Sequence, residues 1–258
     1  MAKTVPHAPM LDKARLFESL SSYLIIGSTV LTIGSFFSEK YLGVNNDLSK
    51  WLVTLNCLSI FFAFIFEALF NYLFYEGSKI KRSDFIDNSL GSTFIDKKSE
   101  DYFTNDNIQP GVYKLAVNCF ENIFFTSQIV AKMIVNSWIW TIVVAAIFIG
   151  SAVLGERQVI LMLFQLSLPL LLLQNSIKLT LFSTRISSLY ENFLRLFNDL
   201  KGIQDTKVKE PEMIKLVIDY QTTLSWGSLL TKQKTFDKMN PSLTNKWIEV
   251  KKHYSIPI

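Results

Sequence analysis

Residues Trp51 to Gly77 form an almost unbroken apolar run, WLVTLNCLSIFFAFIFEALFNYLFYEG. The polar stretch SKIKRSDFIDNSLGS comes next, without a spacer. About 20 apolar residues suffice for a helix to cross the ~30 Å hydrocarbon layer of a bilayer. This run is longer, so its helix is expected to cross and continue out of the membrane. Lys79, Lys81, Arg82, Asp84, Asp87 and Asn88 then act at or just beyond a membrane surface.

Composition agrees with an integral membrane protein. The 258 residues are 49% hydrophobic, with mean hydropathy +0.26. A soluble domain of this size rarely combines a positive average with several apolar runs. The run from Tyr23 to Phe37 reads as a first span, and Gly27, Ser28, Thr29, Thr32, Gly34 and Ser35 equip it for close helix contact. Trp138 to Leu154 and Val159 to Phe182 read as spans three and four, joined by the tight turn Gly155-Glu156-Arg157-Gln158. The expected fold is all-α, with four spans whose second, third and fourth helices extend into a cytoplasmic helical bundle. The organisation is an N-terminal segment (1–20), a transmembrane hairpin (21–77), a loop and helix (78–134), a second hairpin (135–182) and a C-terminal helical region (183–258).

Turn signals at Asp87-Asn88, Gly91, Asn105-Asp106-Asn107 and Pro110-Gly111 predict a folded loop from Ser78 to Gln109. Asn240-Pro241-Ser242 predicts the start of a last short helix. Basic residues set the orientation. Lys79, Lys81, Arg82, Lys97, Lys98, Lys114 and Lys132 lie between spans two and three, and Arg185, Arg195 and Lys201 come after span four. The opposite side carries only Lys40, Lys50 and Arg157. Positive charge favours the cytoplasmic face, which places both termini and the central loop inside.

Polar residues within the apolar runs are candidates for function, because ionisable groups in hydrocarbon are costly. Glu67 and Asn71 share one helix face, and Gln165, Gln174, Asn175 and Lys178 mark span four around Pro169. Glu67, Asn71, Gln174 and Lys178 form a polar seam that lines a pore or vestibule. Alternatively, Glu67 and Lys178 snorkel to the headgroups or pair with each other. Arg82, Asp84, Asp87 and Asn88 form a candidate regulatory loop. The two carboxylates either bind a cation or nucleotide, or accept backbone N–H bonds and lock the loop. The spacing D-x-x-D-N lacks the full oxygen set of a calcium loop. No P-loop, G-x-G-x-x-G, G-x-S-x-G or H-E-x-x-H is present, and the two histidines, His7 and His253, lie near opposite ends. Cys57 and Cys119 both sit in apolar surroundings. The expectation is a non-enzyme with no metal centre and no cofactor. The net charge of +4 gives no case for nucleic acid.

Four short motifs carry a family resemblance: R-x-D-F-I-D-N-S-L-G (Arg82 to Gly91), D-Y-F-x-N (Asp101 to Asn105), E-N-x-F-F-T (Glu121 to Thr126) and N-P-S-L-T-N-K-W (Asn240 to Trp247). In these the chain resembles the SMODS-associated four-transmembrane pore-forming effectors of bacterial antiphage defence. The resemblance implies an inner-membrane effector that forms homo-oligomers and permeabilises the bilayer when a cyclic-nucleotide signal or a soluble defence partner triggers it. A four-span sensor or scaffold that recruits a soluble cytoplasmic partner is the alternative of a different class.

Overall fold

The computed structural model describes residues 5–43, 47–99, 105–154, 167–201, 205–228 and 233–257. Among these the chain is all-α. Its helices are α1 (Ala8–Leu42), α2 (Asp47–Leu90), α3 (Val112–Leu154), α4 (Ser167–Asp199), α5 (Glu210–Gly227) and α6 (Gln233–His253), with a short 3₁₀ turn at Thr206–Lys209. Helices α1, α2 and α3 contain stretches long and apolar enough to cross a membrane, which supports a multi-pass membrane protein. The tight turn 155–158 and the first third of the fourth expected span, 159–166 with Gln165, lie outside the described residues; the remainder of that span is helical within α4.

The chain divides into two compact units. An apolar unit comprises 12–74 and 134–178, and a core unit comprises 1–11, 75–133 and 179–258. Helices α2, α3 and α4 each contribute one part to either unit without interruption.

The apolar unit is held from within by small polar side chains. Asn56 of α2 accepts from the Ser28 hydroxyl and donates to Thr32 Oγ1 of α1 at 2.8 Å. The Ser21 hydroxyl donates to the Ala63 carbonyl at 3.1 Å, and the Phe17 and Phe66 rings lie 5.7 Å apart. Between α3 and α4, Ser176 hydrogen-bonds both Ser137 (2.6 Å) and Thr141 (2.8 Å). Such contacts suit helices in lipid, where apolar burial does not drive association. Of the six small residues expected to serve this purpose in α1, Ser28, Thr32 and Gly34 approach α2. Thr29 and Ser35 bond back to their own helix. The outer surface is apolar: only 6% of the most apolar window of α2 is buried, and Trp51, Phe64 and Tyr72 are exposed.

The core unit is built around rings. Phe120 of α3 is fully buried and stacks on Phe197 (4.8 Å, 13°) and Phe193 (5.9 Å, 8°) of α4. The edge contact with Trp247 of α6 is 5.2 Å. Leu243, Trp247 and Lys251 recur at four-residue intervals and are all buried, which is why α6 packs here as one continuous face.

Two expectations need correction. The helix does not give way to a loop at Ser78; α2 runs on to Leu90. Burial of Asp84, Phe85, Asp87 and Ser89 on one side of the added turns outweighs their turn-forming composition. Residues Arg82, Asp84, Asp87 and Asn88 are therefore helical. Pro241 does not start the last helix but lies inside α6, which begins at Gln233. Burial of Leu243 and Trp247 in the ring cluster outweighs the hydrogen bond that proline removes.

The start of α1 docks on α2 within the core unit. A Cβ at Gly77 would lie 2.7 Å from Leu11 Cδ2 and 3.0 Å from its Cγ, so any larger residue would have to displace the Leu11 side chain. The neighbouring His7 is buried. Burial first, then the charge of Lys81, lowers its pKa to about 4. Because the folded pKa lies below the ordinary 6.5, this contribution to stability is complete above pH ~6.5 and is lost as pH falls toward about 4. The loss is on the order of a few kcal/mol. Thermal unfolding between pH 7.5 and 4.5 should show a falling midpoint, flattened in a His7→Phe variant; equal slopes in both proteins would contradict this.

Candidate functional site

The last turns of α2 carry both buried carboxylates of the sequence motif. Asp87 Oδ1 accepts from the Phe94 N–H at 2.8 Å and from the Ser92 hydroxyl at 2.7 Å, and Oδ2 accepts from the Ile95 N–H at 3.0 Å. Asp84 accepts from both the N–H (3.0 Å) and the hydroxyl of Ser99. The two side chains thus fasten residues 92–99 as a strap along the helix end. Of the alternatives left open by the sequence, this is the one in which the carboxylates accept backbone N–H bonds. Their acceptor sites face protein donors, and among the described residues no cluster of three or more His, Cys, Asp or Glu could hold a metal ion. Gly91 ends the helix at φ +73°, a conformation costly for any residue with a Cβ. Phe94 projects from the strap, 70% exposed, with Lys98 donating to the Ser92 carbonyl at 2.9 Å.

A buried amide network joins the strap's base to α3. Asn118 donates to Asn88 Oδ1 (3.1 Å) and Ser89 Oγ (2.9 Å) on α2. Its Oδ1 accepts from Asn105 Nδ2 at 2.8 Å, which also lies 2.7 Å from Glu121 Oε2. Asn105 is completely buried, and its Oδ1 has no donor among the described residues. Two lysines border the network. Lys114 is buried with Asp106 at 3.8 Å. Burial pushes the Lys251 ammonium below the usual lysine range, and the Glu121 charge opposes that shift. Arg82 Nη1 reaches away from the network, to Ser225 Oγ on α5 at 3.0 Å. Three of the four sequence motifs converge in this unit through Asn88, Ser89, Asn105 and Glu121. The fourth joins the ring cluster, where Trp247 lies 5.8 Å from Phe124.

In the apolar unit the four residues of the expected seam lie on uncovered surface. Glu67, Asn71 and Gln174 are exposed and Lys178 is half-buried. Asn71 Nδ2 donates to the Glu67 carbonyl at 2.9 Å, a bond within the helix. Glu67 and Lys178 form no ion pair with each other: the ion pairs among the described residues involve other groups. Pro169 lies within α4.

The network residues Asn105, Asn118 and Lys251 were not legible as a site. In the sequence Asn118 and Glu121 are two polar side chains three apart in an apolar stretch, with nothing local to pair them with Asn88 or Asn105. Lys251 was hidden by its charge, although the four-residue stripe through Leu243 and Trp247 points to its burial. The arrangement ties the end of α2 to α3 through buried hydrogen bonds, with a carboxylate and two lysines at its border. Comparison with family models, with curated proteins and with solved structures finds no match.

Proposed function

We propose that the chain is a membrane-embedded effector of bacterial antiphage immunity, a four-span inner-membrane protein with both termini cytoplasmic. Several copies assemble and permeabilise the bilayer when a cyclic-nucleotide signal or a soluble defence protein engages the core unit. One observation carries the reading: α2 and α3 are unbroken helices of 44 and 43 residues, each contributing to both the lipid-like surface and the locked polar core. A change in the Asn118 network is thereby felt by helices that also carry apolar spans. The defence role itself comes from the motif resemblance. A single chain of four spans has too little interior for an ion path, so permeation requires copies around an axis.

The second reading, a membrane sensor that recruits a soluble partner, is favoured by an apolar groove on the core unit. Phe85, Ile86 and Leu90 of α2 line it with Ile214 and Ile218 of α5, beside Arg82. Reconstitution separates the two. Protein in phosphatidylethanolamine–phosphatidylglycerol vesicles loaded with a self-quenching dye is challenged with a panel of cyclic di- and trinucleotides. The effector reading expects dye release at least about tenfold above lipid alone with one of them, and depolarisation of cells expressing the chain with the matching synthase. Intact vesicles and polarised cells under every condition, with a stoichiometric soluble protein held in the membrane fraction, would replace it with the sensor reading.

A further inference from the structure

The exposed seam is chemically incomplete in one chain. Glu67 and Asn71 stand four residues apart on an uncovered face of α2, amid Ile60, Phe64 and Tyr75, which are also exposed. Gln174 and Lys178 stand four apart on α4, beside exposed Leu181. Residues at that spacing share a helix face. Lipid chains cannot satisfy a carboxylate, an ammonium or two amides, so such groups face protein or water. Neither charged group has its counter-charge among the described residues of its own chain.

Charge selects what can cover them. Pairing α2 with α2 of another copy about a two-fold axis would set Glu67 against Glu67. Pairing α4 with α4 would set Lys178 against Lys178. Pairing α2 of one copy with α4 of the next brings a carboxylate and an ammonium into one seam. Both helices run from the apolar unit into the core unit, leaving it after Phe74 and Lys178, so copies inserted alike present them in parallel. Counted from those exits, the Glu67–Asn71 pair and the Gln174–Lys178 pair are offset by three residues, about 4.5 Å of helix rise. Glutamate and lysine side chains each reach a neighbouring amide across that distance. Glu67 and Lys178 themselves are offset by about 10.5 Å, so each charge meets an amide and neither meets a like charge.

We infer that the seam is an interface between copies of this chain, formed head to tail, with Glu67 of one copy facing Gln174 of its neighbour and Asn71 facing Lys178. A contact of two different faces repeats from copy to copy and closes a ring when the rotation allows. This deepens the effector proposal and rests on its premise that the chain inserts in a membrane as an oligomer. The carboxylates then lie between subunits, where a field for cations would be set up around the axis.

Crosslinking between differently tagged copies tests it. On a Cys57→Ser background, Asn71→Cys carrying one tag is co-expressed with Lys178→Cys carrying another, and membranes receive a short bifunctional thiol reagent. Buried Cys119 stays in place. The expected product is a dimer bearing both tags, several-fold more abundant than either same-tag dimer, with the same result for Glu67→Cys with Gln174→Cys. A single chain carrying Asn71→Cys and Lys178→Cys should give a ladder of multimers. Dominant same-tag dimers, or no crosslink in protein that is oligomeric by light scattering, would overturn the head-to-tail interface. Dye release from the unsubstituted chain keeps the two proposals apart. Crosslinking without release removes the effector reading and leaves the interface. Release without crosslinking removes the interface alone.

Discussion

Replacing Phe120 by alanine is expected to cost the core unit about 3–5 kcal/mol, the range for deleting a buried phenyl ring. The ring is fully buried where α3, α4 and α6 meet, and it touches Phe193, Phe197, Trp247, Tyr190 and Tyr254 at centroid distances of 4.8–5.9 Å. Those partners are themselves large, flat and mutually constrained, so the space left behind collapses poorly. The midpoint of thermal unfolding in detergent should fall by roughly 10–15 °C. Phe120→Leu, which keeps most of the volume, should lose less than half as much. A drop of only a few degrees in the alanine variant would show that the cluster repacks.

The second large effect is expected at Asn118. Leucine matches its size but neither of its functions. The change leaves Asn88, Ser89 and Asn105 each short of a partner inside the unit. An orphaned buried polar group costs about 1–3 kcal/mol, so the sum is on the order of 4 kcal/mol. Unlike the loss at Phe120, this one should be local in its signature. Hydrogen exchange should accelerate first in residues 86–90 and 105–118. Combining Asn118→Leu with Ser89→Ala should cost less than the two separate losses added together, because the variants remove a shared bond. Strict additivity would place the two residues in separate environments.

The long apolar helices were readable because their evidence is compositional and needs no partner. The run from Trp51 onward announces a span whatever surrounds it. The turns beyond Gly77 were misread because Gly77-Ser78, Asp87-Asn88 and Gly91 have local preferences that favour a loop. Tertiary contacts keep Ser78 to Leu90 helical: Gly77 against Leu11, Phe85 and Ser89 in the interior, Asp84 and Asp87 holding the strap. Pro241 was misleading in the same way. The amide network was invisible for a different reason. Asn118 meets Asn88 and Ser89 across about thirty residues of chain, and no periodicity encodes so distant a pairing. The seam residues, by contrast, stand out because polarity within an apolar run is conspicuous whatever surrounds it.

The point where α2 ends has a bearing on how this protein can change length. The Gly111 N–H donates to the Ser89 carbonyl at 2.9 Å, so the chain that leaves the helix returns to it at the same turn. Between these two ends, 92–99 is tied down by Asp84 and Asp87, and Asn105 is tied to Asn118 and Glu121. For such a closed loop the ordering entropy grows with the logarithm of its length, and a doubling costs only about 0.6 kcal/mol. Loop closure alone therefore sets only a weak limit on the length between Ser89 and Gly111, and the bonds of Asp84, Asp87 and Asn105 set the stronger one. In the interior of α2 each added residue instead turns the N-terminal part of the helix by ~100° relative to its C-terminal part. The protein combines a loop whose length is limited by a few side-chain bonds with helices whose length is fixed by phase.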